Sequence, residues 1–173
     1  PFSQVELDYP YWVKPVKAHS SYLGFKIRKA GDAEAALPTI REGIGHFGRP
    51  FDRFLSMVDV PADVAPVTGH HLIAEEIISA GRQCTLEGYA FGEDVRIYGT
   101  VDSIRSGRHR SSFSRYQYPS RLPGRVRARM AETAAALVSA VGYRDAPFNM
   151  EFYWDEKTDE IRILEVNTRI SKS

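Results

Sequence analysis

Phe148-Asn149-Met150-Glu151-Phe152 and Ile163-Leu164-Glu165-Val166-Asn167, with the charged turn Asp155–Glu160 between them, decide how the rest of the chain is read. Side chains alternate across a β-strand, so Phe148, Met150 and Phe152 share one face with Leu164 and Val166, the expected core face of a hairpin. Glu151, Glu165 and Asn167 then fall together on the other face. If Glu151 stands opposite Glu165, two carboxylates become cross-strand neighbours, and like charges so placed repel unless something compensates them. Two carboxylates and an amide oxygen are hard ligands suited to Mg²⁺, with Mn²⁺ as an alternative. Such an ion keeps waters and takes further ligands from substrate phosphates. The same acids also fit a solvated outer face of an edge hairpin, partly neutralised by Arg162 or Arg169.

Working back from the hairpin, Val126, Met130, Leu137, Val138 and Val141 follow helical spacing, and Gly142 sits where a helix C-terminus wants a left-handed residue, so a helix is expected over Arg125–Val141. Gln83–Phe91 and Val95–Ile104 flank the turn Gly92-Glu93-Asp94 and read as a hairpin. Strands are also expected at Leu72–Ile78, Leu23–Arg28 and Tyr11–Val16. Asp32 reads as the N-cap of a helix that continues past Pro38 to about Phe47. Gly48–Gly69, with Pro50, Pro61 and Pro66, reads as irregular. Ser106–Pro123 reads as loop with one short strand. Hairpins mixed with helices, without regular βαβ alternation, give an α+β architecture of mainly antiparallel sheets.

Lys14 lies inside an apolar strand and is followed by the small-residue turn His19-Ser20-Ser21-Tyr22-Leu23-Gly24. A cation beside backbone N–H and hydroxyl donors is what a polyphosphate requires, although an edge-strand lysine is equally a solvating residue. Neither G-x-x-x-x-G-K-[ST] nor G-x-G-x-x-G occurs. Ala74-Glu75-Glu76-Ile77-Ile78 couples a strand end to a polar turn, offering an adenine main-chain groups beside an apolar floor; as a plain turn between strands it needs no ligand.

The 173 residues are 43% hydrophobic, 12% aromatic and 26% charged, the composition of a globular protein able to bury its own core. The 23 Lys+Arg and 22 Asp+Glu nearly cancel, which removes the overall basic field of a nonspecific nucleic-acid binder. Arg105, Arg108, Arg110, Arg115 and Arg121, interleaved with Phe113, Tyr116 and Tyr118, leave a single-stranded nucleic-acid groove as a minor alternative. The lone Cys84 excludes an internal disulfide and fits a reducing, cytoplasmic compartment. No apolar run is long enough for a membrane span.

Taken in order, these pieces resemble the ATP-grasp superfamily of ATP-dependent carboxylate ligases and biotin carboxylase-like enzymes. Trp12-Val13-Lys14-Pro15 resembles the family's strand lysine, Ala18–Gly24 its phosphate-covering loop, and Ala74–Ile78 its adenine-holding linker. Gly81–Gly88 resembles the strand that follows the linker. Phe148–Phe152 with Leu164–Arg169 is similar to the magnesium-binding hairpin. The resemblance implies two lobes, 1–76 the small one, incomplete at its N-terminus, and 77–173 the large one, with a nucleotide cleft between them. It implies ATP and Mg²⁺ as cofactors, and a small-molecule carboxylate and a nucleophile as substrates. Lys14 would contact ATP; Ser20, Ser21 and Gly24 would cover the phosphates; Glu75, Glu76 and Ile78 would meet adenine; and Gln83 would stand at the ribose position. Glu151, Glu165 and Asn167 would bind the metal, and Arg169, with Lys14, would carry catalysis. Gln83 stands where many relatives carry Glu or His, and the loop around Ser20 is poorer in glycine than many, so a noncatalytic nucleotide-binding domain stays as an alternative beside a biotin carboxylase-like enzyme. Pro1 in place of an initiator Met, and the missing flanking segments, read as the core of a longer enzyme.

Overall fold

The computed structural model describes residues 2–19, 21–105 and 113–171. The chain divides into two compact units, Pro1–Ile77 and Ile78–Ser173. The first holds β1 (Tyr11–Pro15), β2 (Phe25–Ile27), α1 (Ala30–Gly43), α2 (Gly45–Leu55) and β3 (Leu72–Glu76). Its three-stranded antiparallel sheet has the order β2-β1-β3. Alternation in β1 buries Tyr11 and Val13, which pack with Ile27 and Ala33, and sends Trp12 and Lys14 to the other face.

The sequence expectations need correction here. The single helix running to about Phe47 is two helices meeting at Ile44, and α2 continues through Pro50 to Leu55, inside the stretch expected to be irregular. Asp32 is not the N-cap. It lies in the first turn of α1 and accepts the backbone N–H of Arg28 at 2.9 Å, while Lys29 occupies the cap. Strand β2 is shorter than expected because Ser21 and Leu23 both take positive φ and hold residues 21–24 in a turn, closed by the Gly24 N–H on Ser21 O at 2.9 Å. Gly48 and Gly69 meet backbone to backbone, a contact that no Cβ would permit.

The second unit holds β4 (Arg82–Phe91), β5 (Asp94–Arg105), β6 (Phe113–Gln117), α3 (Gly124–Ala140), β7 (Ala146–Asp155) and β8 (Glu160–Asn167). Its antiparallel sheet has the order β6-β5-β4-β7-β8. Val126, Met130, Ala134 and Val138 recur every four residues along α3 and are all buried. They pack on Cys84, Leu86, Phe148, Met150 and Phe152, the inward face of β4 and β7. Gly88 has no side chain because the Phe148 ring occupies that space.

The final hairpin has the expected pairing, Glu151 opposite Glu165, with Met150 opposite Val166. A bulge beside Glu151 then shifts the register, so Ile163 faces Phe152 and Leu164 is the extra residue. The core therefore takes Ile161 and Ile163 rather than the predicted Leu164 and Val166, and Val166 is exposed. Val141, also read as part of the helical core stripe, is exposed.

Candidate nucleotide and metal site

On the face of the second sheet away from α3, period-2 alternation lines up polar residues from three neighbouring strands. Gln83, Thr85 and Glu87 come from β4; Asn149, Glu151 and Tyr153 from β7; Glu165 and Asn167 from β8. Gln83, Thr85, Glu87 and Asn149 are buried, so this face is polar yet largely withdrawn from water. Such groups persist inside a protein only when hydrogen-bonded, and among the described residues none is left without a partner.

Gln83 is the hub at one end. Its Nε2 donates to Glu151 Oε2 at 2.7 Å, and its Oε1 accepts from Arg105 Nε at 2.7 Å and from the Tyr153 hydroxyl at 3.1 Å. Burial, and then the negative charge of Glu165, push the Glu151 carboxyl above its ordinary range, against smaller opposing pulls from the Gln83 bond and the positive charges of Arg105 and Arg169. Glu165 is exposed and has no hydrogen-bond or ion-pair partner among the described residues. Asn167 Nδ2 donates to Asn149 Oδ1 at 3.2 Å, and Arg169 Nη2 donates to Asn167 Oδ1 at 3.3 Å. The sheet thus brings together Glu151, Glu165 and Asn167, as the alternation predicted, and Arg169, just past β8, reaches Asn167.

This donor set fits a hard divalent cation. It offers two carboxylates whose mutual repulsion Gln83, Arg105 and Arg169 offset only in part, and an amide whose nitrogen is turned toward Asn149 so that its oxygen, which also accepts from Arg169, faces away from it. Among the described residues there is no group of three or more His, Cys, Asp or Glu side chains able to hold a metal by themselves. An ion here would complete its shell from Asn167, water or substrate oxygens.

In the first unit, Lys14 Nζ pairs with Glu75 Oε2 at 2.9 Å, across the β1–β3 register. Both side chains remain about one-third exposed, at 34% and 36%, so the ammonium is held yet accessible. The Gly24 position lies against the Trp12 ring, where a Cβ would collide. Ser21 sits in the turn before it with a φ of 57°. Tyr22 and His19 seat this turn on Phe47 of α2, with ring centroids 5.2 Å and 4.7 Å apart. Glu76 ends β3 opposite Tyr11, and Ile78 follows as a half-buried residue. Ser20, Arg108 and Arg110 lie outside the described residues.

Sequence reasoning missed Glu87, Asn149 and Tyr153. The signal for the first two was present: Gln83, Thr85 and Glu87 alternate with Cys84 and Leu86, and Asn149 lies two residues before Glu151. Cys84 takes no part, since burial pushes its thiol up to about 12 and it rests against Met130.

A three-stranded and a five-stranded antiparallel sheet, with paired carboxylates and an asparagine on the terminal hairpin and an arginine just beyond it, match the ATP-grasp fold. Residues 100–173 match the family described as carbamoyl-phosphate synthase L chain, ATP binding domain. The chain is 30% identical over 169 residues to a D-alanine–D-alanine ligase of Acidiphilium cryptum, covering 94% of this chain and 46% of that protein. Among solved structures it resembles a biotin carboxylase from Campylobacter jejuni, with a TM-score of 0.70 at 20% identity over 95% of this chain and 32% of that one. It also resembles an L-amino acid ligase from Bacillus licheniformis, with a TM-score of 0.67 at 18% identity over 99% of this chain and 34% of that one. The chain spans less than half the length of the relative it matches in sequence. None of the described helices is long and apolar enough to cross a membrane.

Proposed function

We propose that this chain is the nucleotide- and metal-binding core of an ATP-dependent ligase that activates a small-molecule carboxylate as an acyl phosphate. The single observation that carries the proposal is the Glu151–Glu165 cross-strand pair, with Asn167 and Arg169 beside it on a polar sheet face. Glu151, Glu165 and Asn167 would hold Mg²⁺, which when bound neutralises phosphate charge and orients the transferring group. Lys14 would meet a phosphate, with Glu75 holding its ammonium group in place. Ser20, Ser21 and Gly24 would cover the phosphates. Glu75, Glu76 and Ile78 would contact adenine, and Gln83, whose amide is engaged by Glu151, Arg105 and Tyr153, would reach the ribose only by exchanging one of those bonds.

The reaction is phosphoryl transfer followed by acyl transfer. A carboxylate oxygen of the substrate attacks the γ-phosphorus, the bond to the bridging oxygen breaks and ADP leaves with its electron pair. An amine or other nucleophile then attacks the acyl carbon, loses its proton and expels phosphate. Arg169 would stabilise the negative charge that develops on the acyl phosphate. The single buried Cys84 supports a reducing, cytoplasmic setting. Bicarbonate as the attacking carboxylate would give the biotin carboxylase-like variant of the same first step, and ADP release dependent on bicarbonate would select it.

The test is Mg²⁺-dependent ATP binding by calorimetry, wild type against Glu165→Ala. The wild type binds, and the variant loses about a hundredfold or more in Mg-ATP affinity with an unchanged melting temperature. A Glu165→Ala protein that binds Mg-ATP as tightly as the wild type would sink the assignment.

A further inference from the structure

Glu87 is 8% exposed and sits in the middle of the polar face, one strand away from the hairpin that carries the metal-site residues. Only donors converge on it. Asn149 Nδ2 donates to its Oε1 at 2.8 Å, and the backbone N–H of Ser171 donates to its Oε2 at 3.4 Å. A carboxylate accepts and cannot donate, so Asn149 must turn its nitrogen toward Glu87 and its oxygen toward β8. Asn167 must then meet that oxygen with its own nitrogen, as it does at 3.2 Å. Its Oδ1 is left facing away from Asn149, where Arg169 Nη2 reaches it at 3.3 Å.

We propose that Glu87 is a positioning residue for the metal site: through Asn149 it fixes which atom of Asn167 is presented as oxygen ligand, and through Ser171 it holds the other end of the run that carries Arg169. The proposal rests on the metal-site reading given above and extends it to a residue with no place among the ligands. The amide pair acts as a polarity relay. With a neutral glutamine at 87, the side chain can either accept or donate, both orientations of Asn149 become available, and the Asn167 nitrogen can turn toward the cation position. A cation and an amide NH₂ repel, so the misoriented fraction binds no metal. Groups that orient the ligands of a metal typically change its affinity by about 10- to 100-fold when removed.

Because polarity rather than bulk is the claim, it has a rescue. In Glu87→Gln the relay loses its fixed sense; in the double variant Glu87→Gln, Asn149→Asp the glutamine nitrogen donates to the new aspartate, and that aspartate again accepts from Asn167 Nδ2. Net charge, side-chain size and the acceptor for Ser171 N–H are all retained. Two measurements on the full chain separate the possibilities. Without ligand, the side-chain amide ¹H–¹⁵N resonance of Asn167 is expected to shift or broaden in the single variant and return in the double variant. In the presence of ATP, Mn²⁺ affinity followed by electron paramagnetic resonance is expected to fall about tenfold or more in Glu87→Gln and to recover most of that loss in the double variant. Melting temperatures identify any variant that has simply unfolded. Wild-type Mn²⁺ affinity in Glu87→Gln, or a double variant no better than the single one, overturns the relay. If the wild type itself binds no Mn²⁺ with ATP, the metal-site reading fails instead, and an unmoved Asn167 amide in ligand-free Glu87→Gln then overturns the relay independently.

Discussion

Asp102 and Glu151 are carboxylates on opposite faces of the same five-stranded sheet, and the chain treats them differently. Asp102 lies on the α3 side, 4% exposed, and receives three kinds of donor: Arg82 Nη2 at 3.2 Å, the backbone N–H of Arg121 at 2.9 Å and the Ser120 hydroxyl. Ser120 Oγ in turn accepts the N–H of Leu122 at 3.1 Å, so the carboxylate organises the turn that leads into α3. Glu151 has one side-chain donor, Gln83, and faces another carboxylate across the strand pair. A fully provided carboxylate is part of the fold's own structure. One with a single side-chain donor among the described residues, beside a like charge, contributes less to the fold and is where an added cation would gain most.

The strongest way to break this contrast is Asp102→Ala. Removing the buried carboxylate takes a partner from Arg82, from the Ser120 hydroxyl and from the Arg121 N–H, and the expected loss is about 3 kcal/mol in urea unfolding. A loss below about 1 kcal/mol would mean that Asp102 is as dispensable to the fold as Glu165 is expected to be. Gln83→Leu sharpens the other side. It deletes the bond that opposes the upward shift of Glu151, so the Glu151 carboxyl should titrate higher still by ¹³C NMR, and Mg-ATP affinity should fall roughly tenfold. An unmoved titration would show that Gln83 does not support the pair.

Glu151→Gln gives the smallest effect, and its sign is set by linkage. Burial and Glu165 raise the folded-state value of Glu151, so the folded protein holds that proton more tightly than the unfolded chain. The resulting stabilisation is fully present below the ordinary glutamate value and is lost as pH rises through the raised one. Glu151→Gln should flatten the fall in stability across that window. A wild-type and variant pair with parallel pH profiles would count against a raised Glu151 carboxyl at this position.

Much of this arrangement was readable in advance. Strict alternation in residues 148–152 placed Glu151 on the polar face, and the pairing with Glu165 followed from the hairpin. Helical spacing located α3 within a residue at each end, because buried positions four apart leave little freedom. Proline misled the reading of α2, since Pro50 lies in a helix that packing and the Gly48–Gly69 contact carry on to Leu55. The bulge beside Glu151 was equally invisible: one extra residue in β8 moves Ile161 and Ile163 into the core, and no local preference announces it.

What the sequence by itself determined is the inventory: which strands carry acids on one face, where the helix of the second unit runs, and that a lysine stands in the first strand. Local alternation and spacing are short-range properties, and they survive whatever the rest of the chain does. What only the tertiary structure decided is the company each group keeps. Glu87 and Asn149 are 62 residues apart, and Gln83 and Glu151 are 68 apart. Their meeting depends on β4 lying beside β7, a register fixed by burial of Leu86, Phe148 and Met150 beneath α3. The apolar face sets the pairing of the strands, and the polar face inherits its hydrogen-bond partners from that pairing.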